Sequence, residues 1–202
     1  MKTIFTEFNA GMENLYNSFF ISFLALKPLI ERPLSQDFRI PIAEFSYSLL
    51  EASQLNKLGD DSVNEYVNGI RRHMLNDIVI CYERYATLML AAHLASNKRV
   101  EVDDRTINAA TFEKLPGLYE EAEKTFFKQL RHLRNSIVHY NGVYNKANPL
   151  NYIFHNNTYN SVGHEGDNIQ IELDSIMFIY NEVLKKVTEI NQRYFSKFIV
   201  LP

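Results

Sequence analysis

Residues 118–142 read LYEEAEKTFFKQLRHLRNSIVHYNG. Leu118, Ala122, Phe126, Leu130, Leu133 and Ile137 recur at steps of three or four, which predicts an amphipathic helix ending near Tyr140. Glu120, Glu121 and Glu123 sit in its first turns, where acids suit the positive end of the helix dipole. Asn141-Gly142 supplies a stop, because glycine accepts the left-handed backbone that closes many helices. At about 100° per residue, Arg131, Asn135 and His139 fall on the side away from the apolar stripe. Arg134 lies about 140° from His139 on that wheel, so the two meet only through arginine's reach or across an interface with a second copy.

The rest of the chain carries the same periodicity. A first helix is expected from about Glu7 to Leu26, ended by Pro28 and Pro33. A second is expected from Pro41, with Ile42, Phe45, Leu49 and Ala52 as its stripe. Gly59 and Asp60-Asp61 close it and open a third, which reaches about Ser96. Asn68-Gly69 is expected to break that third helix early, leaving a main body striped by Ile70, Met74, Ile78, Cys81, Tyr85, Leu88 and Ala92. Residues 97–117 read as a connection holding a short helix near Ile107–Leu115. Ile169, Ile171 and Leu173 alternate with polar residues, so Tyr152–Tyr159 is expected to pair with them across Glu165-Gly166-Asp167. Asp174 is the expected N-cap of a last helix that buries Ile176, Ile179, Tyr180, Val183, Val187, Ile190 and Tyr194. The reading is an all-α bundle of four to five main helices in a single domain over 1–202, with a small β-hairpin inserted before the last helix. Its core is expected at about 61–146 plus 174–196, with helices within 7–58 and the hairpin at 151–173 as elaborations.

Composition narrows the function classes. The 202 residues carry a net charge of −3, which excludes a uniformly basic nucleic-acid binder. One cysteine, Cys81, excludes a disulfide framework and a thiolate-rich zinc site. The apolar run Phe19–Leu26 is too short for a bilayer and lacks signal-peptide flanks, so a cytoplasmic protein without membrane partners is expected. His155, His164, Glu165 and Asp167 have no metal-ligand spacing, the glycines form no phosphate loop, and no metal or cofactor is expected. Asp77 is read as a buried acid paired with an arginine of the 118–140 helix, or as a support for Arg134.

Against the negative total, Lys124, Lys128, Arg131 and Arg134 follow one another with no intervening acid. Such a strip suits phosphates, and it equally suits an ordinary solvated helix face near a C-terminus. Arg134-Asn135-Ser136-Ile137-Val138-His139 resembles the Arg-x4-His motif of the HEPN superfamily, in which a polar residue often follows the arginine. The resemblance covers about Asp61 to Tyr144 plus the last helix. It implies a homodimeric helical bundle with two motifs in one cleft, and an RNA substrate. The implied activity is a metal-independent endoribonuclease of stress, defence or toxin–antitoxin type, with an antitoxin or other protein partner. Members without activity bind RNA, nucleotides or proteins, and that alternative stays open. On the first reading His139 is the general acid or base, Arg134 stabilises the phosphorane, and Asn135 orients His139 or donates to phosphate. Lys124, Lys128 and Arg131 would grip backbone phosphates. One branch of the family carries a tyrosine two residues after the histidine; Asn141 stands there instead, which argues against that branch's nucleotidyltransferase partner.

Overall fold

A computed structural model describes residues 1–30, 39–41, 49–51, 60–96, 107–140, 142–143, 151–153, 160–162, 166, 169 and 171–198. Over these residues the protein is essentially all-α, with α1 Lys2–Ile30, α2 Asp60–Ser96, α3 Ala109–Phe112, α4 Glu121–His139 and α5 Leu173–Phe198. The chain forms two compact units, one from 1–15 with 71–202 and the other from 16–70. The motif-bearing helix α4 lies in the first.

In the larger unit, apolar residues at helical spacing meet in one core. Phe8 and Met12 of α1, Met74, Leu75, Ile78, Tyr82, Tyr85 and Met89 of α2, and Phe112 of α3 are all buried. From α4 come Phe127, Leu130 and Leu133, and from α5 Ile176, Ile179, Val183, Val187, Ile190 and Tyr194. Tyr82 stacks flat on Phe127 with ring centroids 3.8 Å apart. Tyr85 packs against Phe8 and meets Phe112 edge-on. Buried aromatic hydroxyls find partners, as they must: Tyr180 donates to Met12 O at 3.2 Å and Tyr85 to Asn191 Oδ1 at 3.3 Å. The smaller unit buries Phe19 and Val67, and Phe19 packs on Phe23 at 5.3 Å.

Several boundaries differ from expectation. The first helix continues through Pro28 to Ile30, since a proline late in a helix removes one N–H and leaves the preceding bonds intact. α2 runs unbroken through Asn68-Gly69. Asn68 is buried, and Gly69 is exposed with open space where a side chain would stand. The helix expected from Pro41 is not formed at Pro41 or at Leu49–Glu51: Arg39–Pro41 pairs antiparallel with Leu49–Glu51. Short apolar runs satisfy both periodicities, which is why the sequence misled there. Residues 42–48 and 52–59 lie outside the described residues.

The predicted hairpin between 152–159 and 169–173 is not seen. Asn151–Ile153 instead forms a three-residue antiparallel ladder with Asn160–Val162. Ile169 and Ile171 are buried as their alternation implied, but their backbone bonds go elsewhere. Ile169 N donates to Gly142 O at 2.7 Å, Arg72 Nε to Ile169 O at 3.0 Å, and Arg71 Nη1 to Ile171 O at 3.2 Å. The two arginines therefore do the work of a partner strand. By length and composition α2 would suffice to cross a bilayer over Asp61–Ser96, and 39% of its most apolar window is buried inside the protein.

Candidate functional site

The site is built on α4, so the placement of that helix decides it. Glu123 in the first turn is buried; its Oε2 accepts from Glu120 N at 2.8 Å, and its Oε1 accepts from Arg193 of α5. This ties the start of α4 to α5 and puts Glu123 and Phe127 inward, where Ala122 and Phe126 were expected. Further along, Leu130 and Leu133 are buried as predicted, while Ile137 is half-buried. The helix closes as Asn141-Gly142 predicts: Gly142 adopts φ +76°, and its N–H donates to Ile137 O at 3.1 Å. The Arg72 guanidinium lies in the space a β-carbon at Gly142 would fill, 2.7 Å away.

Arg131 is not free for phosphate. Its guanidinium forks onto the buried carboxylate of Glu113, with Nη1 on Oε1 and Nη2 on Oε2 at 2.8 Å. The two side chains are 19% and 8% exposed. Tyr82 also donates to Glu113 Oε1 at 2.6 Å, and its hydroxyl lies 3.3 Å from that of Tyr119. Burial first, and the Glu113 carboxylate with it, pushes both phenols well above their ordinary range; Tyr119 raises Tyr82 further, while the hydrogen bond from Tyr82 pulls Tyr119 partly back. A buried bidentate arginine–carboxylate pair that also accepts from a tyrosine is a structural unit.

Arg134, one turn on, stands differently. Its Nη1 donates to Asn135 Oδ1 at 3.0 Å, and its Nη2 lies 3.8 Å from Glu83 Oε2 of α2. Its side chain is 25% exposed, and its buried Nε has no acceptor. Asn135 is exposed, and its side-chain oxygen accepts from the arginine. His139 is exposed in the last turn of α4, between the half-exposed Val138 and Tyr140. Among the described residues no side chain bonds its imidazole.

Of the remaining cations, Lys124 pairs with Glu121 at 2.6 Å and Lys128 is exposed without a described partner. Burial, then Lys128 and Arg131, hold His132 below the usual histidine range. Asp77 does not reach α4. It is 3.7 Å from His73 on its own helix and accepts from Asn76, so Glu83 and Glu113 take the roles expected of it. Nothing in the sequence singled those two out. Glu113 sits in a charged connection, and only its burial after folding reveals its role. Cys81 is half-buried rather than sealed in the core, and burial and Asp77 push its thiol pKa up. Among the described residues, no three His, Cys, Asp or Glu side chains converge as a metal site. His155, His164, Glu165 and Asp167 lie outside the described residues.

No family model, curated protein or solved structure matches this chain.

Proposed function

We propose that this protein is a HEPN-like endoribonuclease that cleaves RNA by 2′-OH transesterification without a metal. The observation that carries the reading is the state of the motif on α4. His139 is exposed and unengaged among the described residues, and Asn135 holds the guanidinium of Arg134. Metal-free cleavage needs an imidazole to take the 2′-OH proton or to give one to the departing 5′ oxygen. The attacking 2′ oxygen forms a bond to phosphorus, the 5′ oxygen leaves with a proton, and a 2′,3′-cyclic phosphate remains. Arg134 donates to the non-bridging oxygens as charge grows on them. Lys128 supplies a backbone phosphate contact, and Lys124 does so once released from Glu121. Arg131 has no part in it, because Glu113 occupies its fork. Two copies facing one another would give the site a second imidazole, so that acid and base come from different protomers.

The test is incubation of wild type, His139→Ala and Arg134→Ala with mixed RNA in chelator. Cyclic phosphate ends made by the wild type and lost in both variants support the reading. Full-rate cleavage by both variants removes it. A second reading has its own observation: Glu83 already sits against Arg134. In a catalytically silent bundle that binds RNA, nucleotides or proteins, the carboxylate would hold the arginine as a binding group. RNA binding without cleavage, weakened by Arg134→Ala but unchanged in His139→Ala, would favour it.

A further inference from the structure

A second site lies away from α4. The faces of α1 and α2 in the larger unit leave a cleft of about 330 Å³ between them. Buried Phe8 and Tyr85 stand behind it, and Ile4, Leu88, Cys81 and Gly11 also line it. Gly11 contributes no side chain, and even a β-carbon there would only touch Cys81 Sγ, at 3.6 Å. At the mouth stand three exposed polar side chains, Glu7 and Asn14 from α1 and Arg84 from α2. None of the three makes a hydrogen bond or ion pair with a described residue, whereas Arg131, Arg134 and Arg193 each meet a carboxylate. Glu7 and Arg84 carry opposite charges on opposite walls of one cleft, yet they do not reach each other.

Charges so placed are complementary to a ligand that carries both signs. An ammonium fits Glu7, a carboxylate fits the guanidinium fork of Arg84, and Asn14 offers a donor and an acceptor beside them. The apolar lining beside the charges, Ile4, Ala10 and Leu88, takes an apolar body. The volume is at the lower end of the roughly 300–1,000 Å³ typical of ligand sites, which selects a small molecule. We propose that this cleft binds a free α-amino acid with an apolar or aromatic side chain. It holds the ammonium at Glu7, the carboxylate at Arg84 and the side chain against Ile4 and Leu88.

The experiment is calorimetric titration of the full chain with L-phenylalanine, phenethylamine and 3-phenylpropionate at millimolar concentrations. Each analogue lacks one charged group. L-Phenylalanine is expected to bind about tenfold or more tighter than either, the worth of one hydrogen-bonded charge. Arg84→Met should remove its advantage over phenethylamine, and Glu7→Gln its advantage over phenylpropionate. Both positions are exposed, so both variants should keep the wild-type circular dichroism spectrum. No binding of L-phenylalanine, equal binding of all three probes, or preferences unchanged in the folded variants would each overturn the proposal. None of these outcomes bears on RNA cleavage.

Discussion

Replacing Glu113 with alanine tests the division of labour between the two arginines of α4. The change strips the carboxylate from a guanidinium only 19% exposed and removes the 2.6 Å acceptor of the Tyr82 hydroxyl. Breaking a buried ion pair from one side costs about 3–5 kcal/mol. Arg131 keeps some access to water and Tyr82 keeps Tyr119 at 3.3 Å, so the lower end applies, about 3 kcal/mol. Arg131→Met should cost a similar amount, because Glu113 is then left buried and half-paired. The double variant should cost less than the sum by about 2 kcal/mol, the coupling expected of contacting charges. Urea denaturation of the four proteins measures this cycle. A coupling below about 0.5 kcal/mol would refute the structural reading of the pair. So would an Arg131→Met variant of unchanged stability and weakened RNA affinity, since Arg131 would then be the phosphate contact the sequence suggested.

Other outcomes follow from the same contacts. Gly142→Ala should destabilise by about 1–2 kcal/mol or more in thermal melts, because it places a β-carbon at φ +76° and against the Arg72 guanidinium. Gly69→Ala should stabilise by about 0.4–1 kcal/mol in the same assay, since the helix there is continuous and the added methyl meets nothing. The folded protein depresses the His132 pKa below its usual 6.5, so the unfolded chain binds the proton more readily. That contribution is complete above pH 6.5 and lost as pH falls through it toward the lower folded value, and His132→Gln should flatten the stability profile in that window. Tyr82, Tyr85, Tyr119 and Tyr194 all have raised pKa values, chiefly from burial, so their stabilisation is present below pH 10 and lost above it. Tyrosinate absorbance from Tyr82, Tyr85 and Tyr119 should appear only with unfolding.

The long helices were legible because their stripes are long. α2, α4 and α5 each repeat apolar residues over enough turns that no strand pattern competes. The segment near Leu49 is shorter, and there the same rule chose a helix where the backbone pairs as a ladder. At 169–171 the alternation was read correctly as burial and wrongly as strand pairing. Period two says which side chains go inward; it does not say what satisfies the backbone. Here the answer was Arg71 and Arg72, nearly a hundred residues earlier, and no local pattern announces them. The one-residue error in the facing of α4 has the same origin. Glu123 was read as a dipole acid at a helix start, and it is also buried against Arg193, seventy residues away.

The site shows the limit most clearly. Arg131 and Arg134 are chemically identical, lie one turn apart, and looked equally suited to phosphate. What separates them is the carboxylate each meets. Glu113 grips Arg131 with both oxygens in a buried setting, where an incoming phosphate would have to evict a carboxylate that would then sit unpaired. Glu83 stands 3.8 Å from Arg134, with both side chains more than a quarter open to water or at that margin. At that distance, and with more of each side chain open to water than at Glu113 or Arg131, this is the weaker of the two pairs. A phosphate can replace Glu83 at little cost, because the displaced carboxylate regains water. On the reading proposed above, the anion site depends on which partner can be given up, and of the two arginines that is Arg134. Arg134 lies toward the same helix end as exposed His139, and the proposed reaction at phosphorus would draw on both.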